Sequence, residues 1–133
     1  MSAQATVRSF GQLSLVNCTV VNNRAQMLSV VEADGGSATV RNCVLFGNRT
    51  GYPPLERQQI GAQAGLATLD VRTTCLEGLG SLSGNQNVGW LPIFVDEAAM
   101  NWRLQAGSPL HDLGDNVAMA DDALDLDRQP RRL

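Results

Sequence analysis

The most constraining feature of this sequence is an internal repeat. Residues 11–24, GQLSLVNCTVVNNR, align with residues 36–49, GSATVRNCVLFGNR, at an offset of 25. Gly11, Asn17, Cys18, Asn23 and Arg24 meet identical residues at Gly36, Asn42, Cys43, Asn48 and Arg49. Leu13, Leu15 and Val20 meet Ala38, Val40 and Leu45, apolar on apolar. A fixed period of this size points to a solenoid or an array. Within each copy the apolar residues alternate, Leu13 and Leu15 about Ser14, Ala38 and Val40 about Thr39. That is strand period, and it excludes helical repeats. The leucine and asparagine frame of leucine-rich repeats is also missing.

A coil of about 25 residues holding three short strands remains. Successive coils then rise by one strand spacing, about 4.8 Å, and equivalent residues stack as ladders. Cys18, Cys43 and a third rung at Cys75 form one expected ladder. Asn17 with Asn42, and Asn23 with Asn48, form two more at turns, where asparagine tolerates left-handed backbone angles. The same register sets Val30 and Val31 above Ala5 and Thr6, with DGG (34–36) as the turn between strands. The first coil shows no cap of its own. Its open strand groups call for cover by more protein or by another copy of the chain, so a homo-oligomer through this end is expected.

After Arg49 the pattern lapses. TGYPPLERQQIGAQAG (50–65) reads as a loop inserted at one turn, with Tyr52, Glu56 and Arg57 its chemically notable members. ATLDVRTTCLEG (67–78) resumes the alternation. LPIFVD (91–96) reads as a strand, EAAMNW as a turn capped by Asp96, and WRLQAGSPL as a strand followed by a turn. The expected organisation is coils over 1–90 and a strand-and-loop segment over 91–133, packed on the end of the coils.

The chain has no lysine and a net charge of −3. Residues 96–133 hold eight carboxylates against four arginines, a net of −4 that leaves +1 in the first 95. No basic stripe exists for a phosphate backbone, so nucleic acid is not an expected partner. No apolar run reaches the ~18 residues of a membrane span. The first residues lack the charged and apolar blocks of a signal peptide. Three cysteines without a CxxC or Cys/His pair make neither a zinc site nor a disulfide framework. They read as small buried hydrophobes.

The chemistry-bearing residues form no obvious catalytic set. The coil acids Glu32, Asp34, Asp70 and Glu77 fall at different registers, and paired-carboxylate hydrolysis needs two at one site. Ser108, His111 and Asp112 are the right types for a triad, but they sit too close along an extended segment. Asp122, Asp125 and Asp127, with Asp112 and Asp115 nearby, are candidates for Ca²⁺, although no complete calcium loop is spelled out. No other cofactor is expected. Trp90 and Tyr52 are candidates for stacking on a sugar ring, with Arg57 beside them as a ligand-binding candidate.

The tail carries a resemblance. PIFVD (92–96), WRLQAGSPLHDLGD (102–115) and DLDRQPRRL (125–133) resemble the C-terminal signature of bacterial right-handed parallel β-helix repeat proteins of the pectin-lyase-like superfamily. LFGN (45–48) and GGSA (35–38) resemble the repeat motifs of polymorphic outer-membrane proteins. Arg128 and Gln129 stand where the signature has Gly-Asn, and its closing strand has no counterpart here. The resemblance implies an all-β, short right-handed parallel β-helix of three to four coils. It implies a secreted or cell-surface protein. It also implies a choice between a non-catalytic module that recognises carbohydrate or protein and a polysaccharide lyase or hydrolase, or its remnant. Trp102, at the aromatic position of the signature, is implied to pack over the last coil.

Overall fold

A computed structural model describes residues 6–51, 53–115 and 117. The chain forms three successive rounds of three short strands. The first round is β1 (Val7–Ser9), β2 (Gln12–Val16) and β3 (Thr19–Val21). The second is β4 (Val31–Ala33), β5 (Gly36–Arg41) and β6 (Val44–Phe46). A short helix, α1 (Leu55–Gln59), precedes the third round of β7 (Ile60–Ala62), β8 (Ala67–Arg72) and β9 (Cys75–Leu76). An antiparallel hairpin, β10 (Phe94–Asp96) with β11 (Asn101–Leu104), follows.

Like strands of successive rounds pair in parallel, giving three sheets ordered β1-β4-β7, β2-β5-β8 and β3-β6-β9. The architecture is all-β, and its stacked parallel sheets fit a β-helix-like solenoid. Register follows the repeat in two sheets: Leu13 pairs with Ala38, Leu15 with Val40, and Val20 with Leu45. The inward residues Val31, Val40, Cys43, Leu45, Ile60, Val71 and Leu76 make the buried core. Four of the seven, Val31, Val40, Ile60 and Val71, are β-branched, the shape that packs best on a pleated, stacked surface.

Three expectations need correction. First, Val31 pairs with Val7, not with Thr6, and the Thr6 amide donates to the Val30 carbonyl. The first corner has two residues, Phe10 and Gly11, where the second has three, Asp34 to Gly36. Gly36 absorbs the extra residue at φ 66°, directly over the Gly11 carbonyl, where a Cβ would clash.

Second, residues 50–65 are not wholly a loop. Ile60, Gly61 and Ala62 pair with Val31, Glu32 and Ala33 as the third strand of their sheet. The inserted material is the stretch before them, including α1. Third, Cys75 is not the third cysteine rung. It pairs with Val44, while Thr74 lies by Cys43, whose amide donates to Thr74 Oγ1 at 3.4 Å. Thr73 takes the left-handed turn position next to Asn42, at φ 48°. The rungs at this corner are therefore Asn17–Asn42–Thr73 and Cys18–Cys43–Thr74.

Among the described residues no helix is long and apolar enough to cross a membrane.

Candidate functional site

The corner between the second and third sheets is built from residues in left-handed conformation. Asn17 and Asn42 have φ of 57° and 54°. Asn42 Nδ2 donates to Asn17 Oδ1 at 3.1 Å and to the Asp115 carbonyl at 2.8 Å. In return the Asp115 amide and the Thr73 hydroxyl donate to Asn42 Oδ1, at 2.8 and 2.7 Å. One amide side chain thus ties two neighbouring rounds and the C-terminal segment together. At the next corner, Asn48 Oδ1 accepts from the amide and side chain of Asn23, at 3.0 and 3.2 Å.

The tail lies along the first of these corners and leaves a cleft of about 400 Å³ beneath it. One wall comes from the rounds: Asn17, Cys18, Thr19, Val44 and Cys75. The other comes from the tail: Phe94, Trp102, Leu104 and Leu110, with Asp112 to Gly114 at the rim. Gln86 and Val88 close one side. Phe94 and Trp102 meet edge to face, ring centres 5.2 Å apart, which fixes the aromatic wall. Of the other lining residues, Thr19, Gln86 and Asp112 have side chains not engaged by the described residues. The result is a partly apolar cleft with a few polar groups around its edge, within the size range of small-ligand sites.

The cysteines contribute packing. Burial pushes the Cys43 thiol up to about 11, and burial pushes Cys75 up to about 12. Their sulfurs donate to backbone carbonyls, Cys43 to Arg41 and Cys75 to Trp90, each at 3.1 Å. Neither is a nucleophile at neutral pH.

The carboxylates of the rounds are all held. Glu32, buried, takes two hydrogen bonds from the Arg57 guanidinium, at 2.8 and 3.0 Å, and one from the Ser29 amide. Asp34 pairs with Arg8. Glu77 is bridged by Arg49, whose two nitrogens lie 2.5 and 2.9 Å from it. That bond to Arg49 holds the Glu77 carboxyl below its usual range. Asp70 pairs with Arg72 at 2.7 Å. Glu56 accepts from the amides of Gly80, Ser81 and Leu82 and from the Ser81 hydroxyl. Burial alone would raise its pKa, but these donors together outweigh it and lower the value.

The residues singled out from sequence do not converge. Arg57 is locked on Glu32. Trp90 is about half exposed on the surface, and Tyr52 lies outside the described residues. Asp122, Asp125 and Asp127 also lie outside them. Among the described residues no group of three or more His, Cys, Asp or Glu side chains could hold a metal ion. The Ser108, His111 and Asp112 set is not assembled. Ser108 Oγ accepts from the Ile93 and Leu110 amides, and His111 Nε2 donates to the Gln105 carbonyl at 2.7 Å. The cleft residues Gln86, Trp102 and Asp112 come from separated segments. No spacing in the sequence joins them.

No family model, no curated protein and no solved structure matches this chain.

Proposed function

We propose that the chain is a short right-handed parallel β-helix module of the pectin-lyase-like kind, acting by recognition and not by catalysis, with the cleft as its carbohydrate site. The observation that carries this reading is the cleft's makeup. Its lining combines an aromatic wall at Trp102 with hydroxyl, amide and carboxylate residues at Thr19, Gln86 and Asp112. A sugar ring offers the complement: an apolar C–H face to stack and hydroxyls to bond. The alternative, a lyase or hydrolase, needs two or more carboxylates around one bond. Among the described residues the cleft has one, and the carboxylates of the rounds are tied to arginines or amides. The negative charge at Asp112 also favours neutral or amino sugars over uronates.

A glycan array followed by titration calorimetry tests the reading. A neutral or amino-sugar oligosaccharide should bind, and Asp112→Asn or Gln86→Ala should weaken it by about tenfold, the loss of roughly one hydrogen bond to a charged or polar group. Trp102→Ala should abolish it. Binding that ignores all three changes, or no binding across the array, refutes the cleft as the site. A protein partner is the second reading. It is favoured by the incomplete burial of the first round.

A further inference from the structure

Two of the three thiols stand one above the other. Cys18 lies between β2 and β3, and Cys43 lies between β5 and β6. The pairs on either side of them are in register, Val16 with Arg41 and Thr19 with Val44. The Asn17 amide donates to the Arg41 carbonyl and the Val44 amide to the Cys18 carbonyl, at 3.1 and 2.9 Å, so the rung between is closed. The two Cα atoms are therefore about one strand spacing apart, ~4.8 Å. That falls within the roughly 4.4–6.8 Å that a disulfide spans.

The two side chains also share a direction. Each sulfur donates to the carbonyl two residues back, Cys18 to Val16 at 3.3 Å and Cys43 to Arg41 at 3.1 Å. Cys43 Sγ also lies 3.5 Å from the Leu15 carbonyl, so it leans toward the first round. Burial is the main cause that lifts the Cys43 thiol to about 11, and the Cys18 side chain beside it adds to the rise. Cys75 is placed otherwise, opposite Val44, with its sulfur on the Trp90 carbonyl. Both Cys18 and Cys43 line the cleft of about 400 Å³, which admits a molecule the size of a peroxide.

We propose that Cys18 and Cys43 are a redox pair, which a peroxide entering the cleft closes into a disulfide between the first and second rounds. The Cys18 sulfur attacks one oxygen of hydrogen peroxide, the O–O bond breaks, and the departing hydroxide takes the thiol proton and leaves as water. Cys18 is then a sulfenic acid. The Cys43 sulfur attacks the Cys18 sulfur, and its proton leaves with the hydroxyl as a second water. Two thiols lose two electrons, and one peroxide becomes two waters. Cys18 takes the first step because burial keeps Cys43 protonated. The small ionised fraction of Cys43 suffices for the second, because its target sits one rung away. Side chains that share a direction hold their Cβ atoms about a rung apart, wider than the ~3.8 Å of a relaxed bridge. The corner must tighten to close, so the bridge is strained and returns readily to thiols. None of this depends on what the cleft binds.

Peptide mapping of the full chain is the test, after mild hydrogen peroxide at low micromolar protein and mildly alkaline pH, without reduction. Trypsin cuts after Arg8, Arg24, Arg41 and Arg49, so the expected product joins residues 9–24 to residues 42–49. It should be lighter than the two peptides by two hydrogens, and dithiothreitol should separate them. The oxidised chain should keep the melting temperature of the reduced chain or exceed it by several degrees, since the bridge restrains the unfolded state. Cys75→Ala should form the same bridge, and Cys18→Ala should not. Thiols that stay free, oxidation that stops at the sulfenic or sulfinic acid, a bridge to Cys75, or one between two chains overturns the proposal. So does a bridge that lowers the melting temperature, because it would have formed at the expense of the fold.

Discussion

Asn42 performs two separable tasks, and each can be removed alone. Its backbone sits at φ 54°, and its side chain bonds Asn17, Thr73 and both backbone groups of Asp115. Asn42→Gly keeps the backbone and loses the bonds. Asn42→Ala loses both. The expected costs are about 4 kcal/mol for Gly and about 5 kcal/mol for Ala, from roughly 1 kcal/mol for each of the four lost bonds and about 1 kcal/mol of left-handed strain. Urea denaturation of both variants checks the order. Equal costs would assign the residue to its side chain alone. The asparagine ladder was legible because asparagine is one of few residues that favour this conformation. The third rung was not, since Thr73 at φ 48° is β-branched and gives no such signal.

The buried thiols give a pH dependence with a definite sign. Burial in the folded chain pushes the Cys43 thiol up to about 11 and the Cys75 thiol up to about 12, from an ordinary 9.0. The unfolded thiols ionise first, so their stabilising effect is complete below pH 9 and is lost as pH rises toward 11 and 12. Melting temperature should fall steadily above pH 9, and the fall should shrink in Cys75→Ala. A Cys75→Ala variant with an unchanged alkaline slope would remove the thiol from the explanation.

At the scale of elements, the inserted segment is held by charge and not by apolar surface. Arg57, from α1, crosses Gly61 of β7 to reach Glu32 of β4. Gly61 is required there, because a methyl group would fall on the guanidinium. From the same helix, Glu56 grips the 80–82 turn, and Gln59 bonds both the side chain and the carbonyl of Asn48. Removing one partner of a buried ion pair strands the other, at about 3–5 kcal/mol. Arg57→Met should cost that much by chemical denaturation. Gly61→Ala should approach it, since the side chain must leave its place. A Gly61→Ala protein as stable as the parent would mean that Arg57 relocates without penalty. Sequence reading took these residues for a loop because two prolines, three glycines and three glutamines mask a three-residue strand. Its membership depends on the distant Val31, and no local pattern reports that.

For the molecule as a whole, the repeat made the parallel stacking and the apolar ladder legible, because stacking needs the same residue type at the same position. The cleft was not legible, because it forms where a tail crosses a corner and its residues share no period. Stability in stacked rounds is a sum of each round and its neighbours, so an inner round opens least readily. The second round is flanked on both sides, and its core residues Val40 and Leu45 are fully buried. Hydrogen exchange at high dilution should therefore be slowest in β5 and β6 and faster in β2 and β3. If β2 exchanged as slowly as β5, the half-burial of Leu13, Leu15 and Val20 would not loosen the first round, and position in the stack would not set local stability.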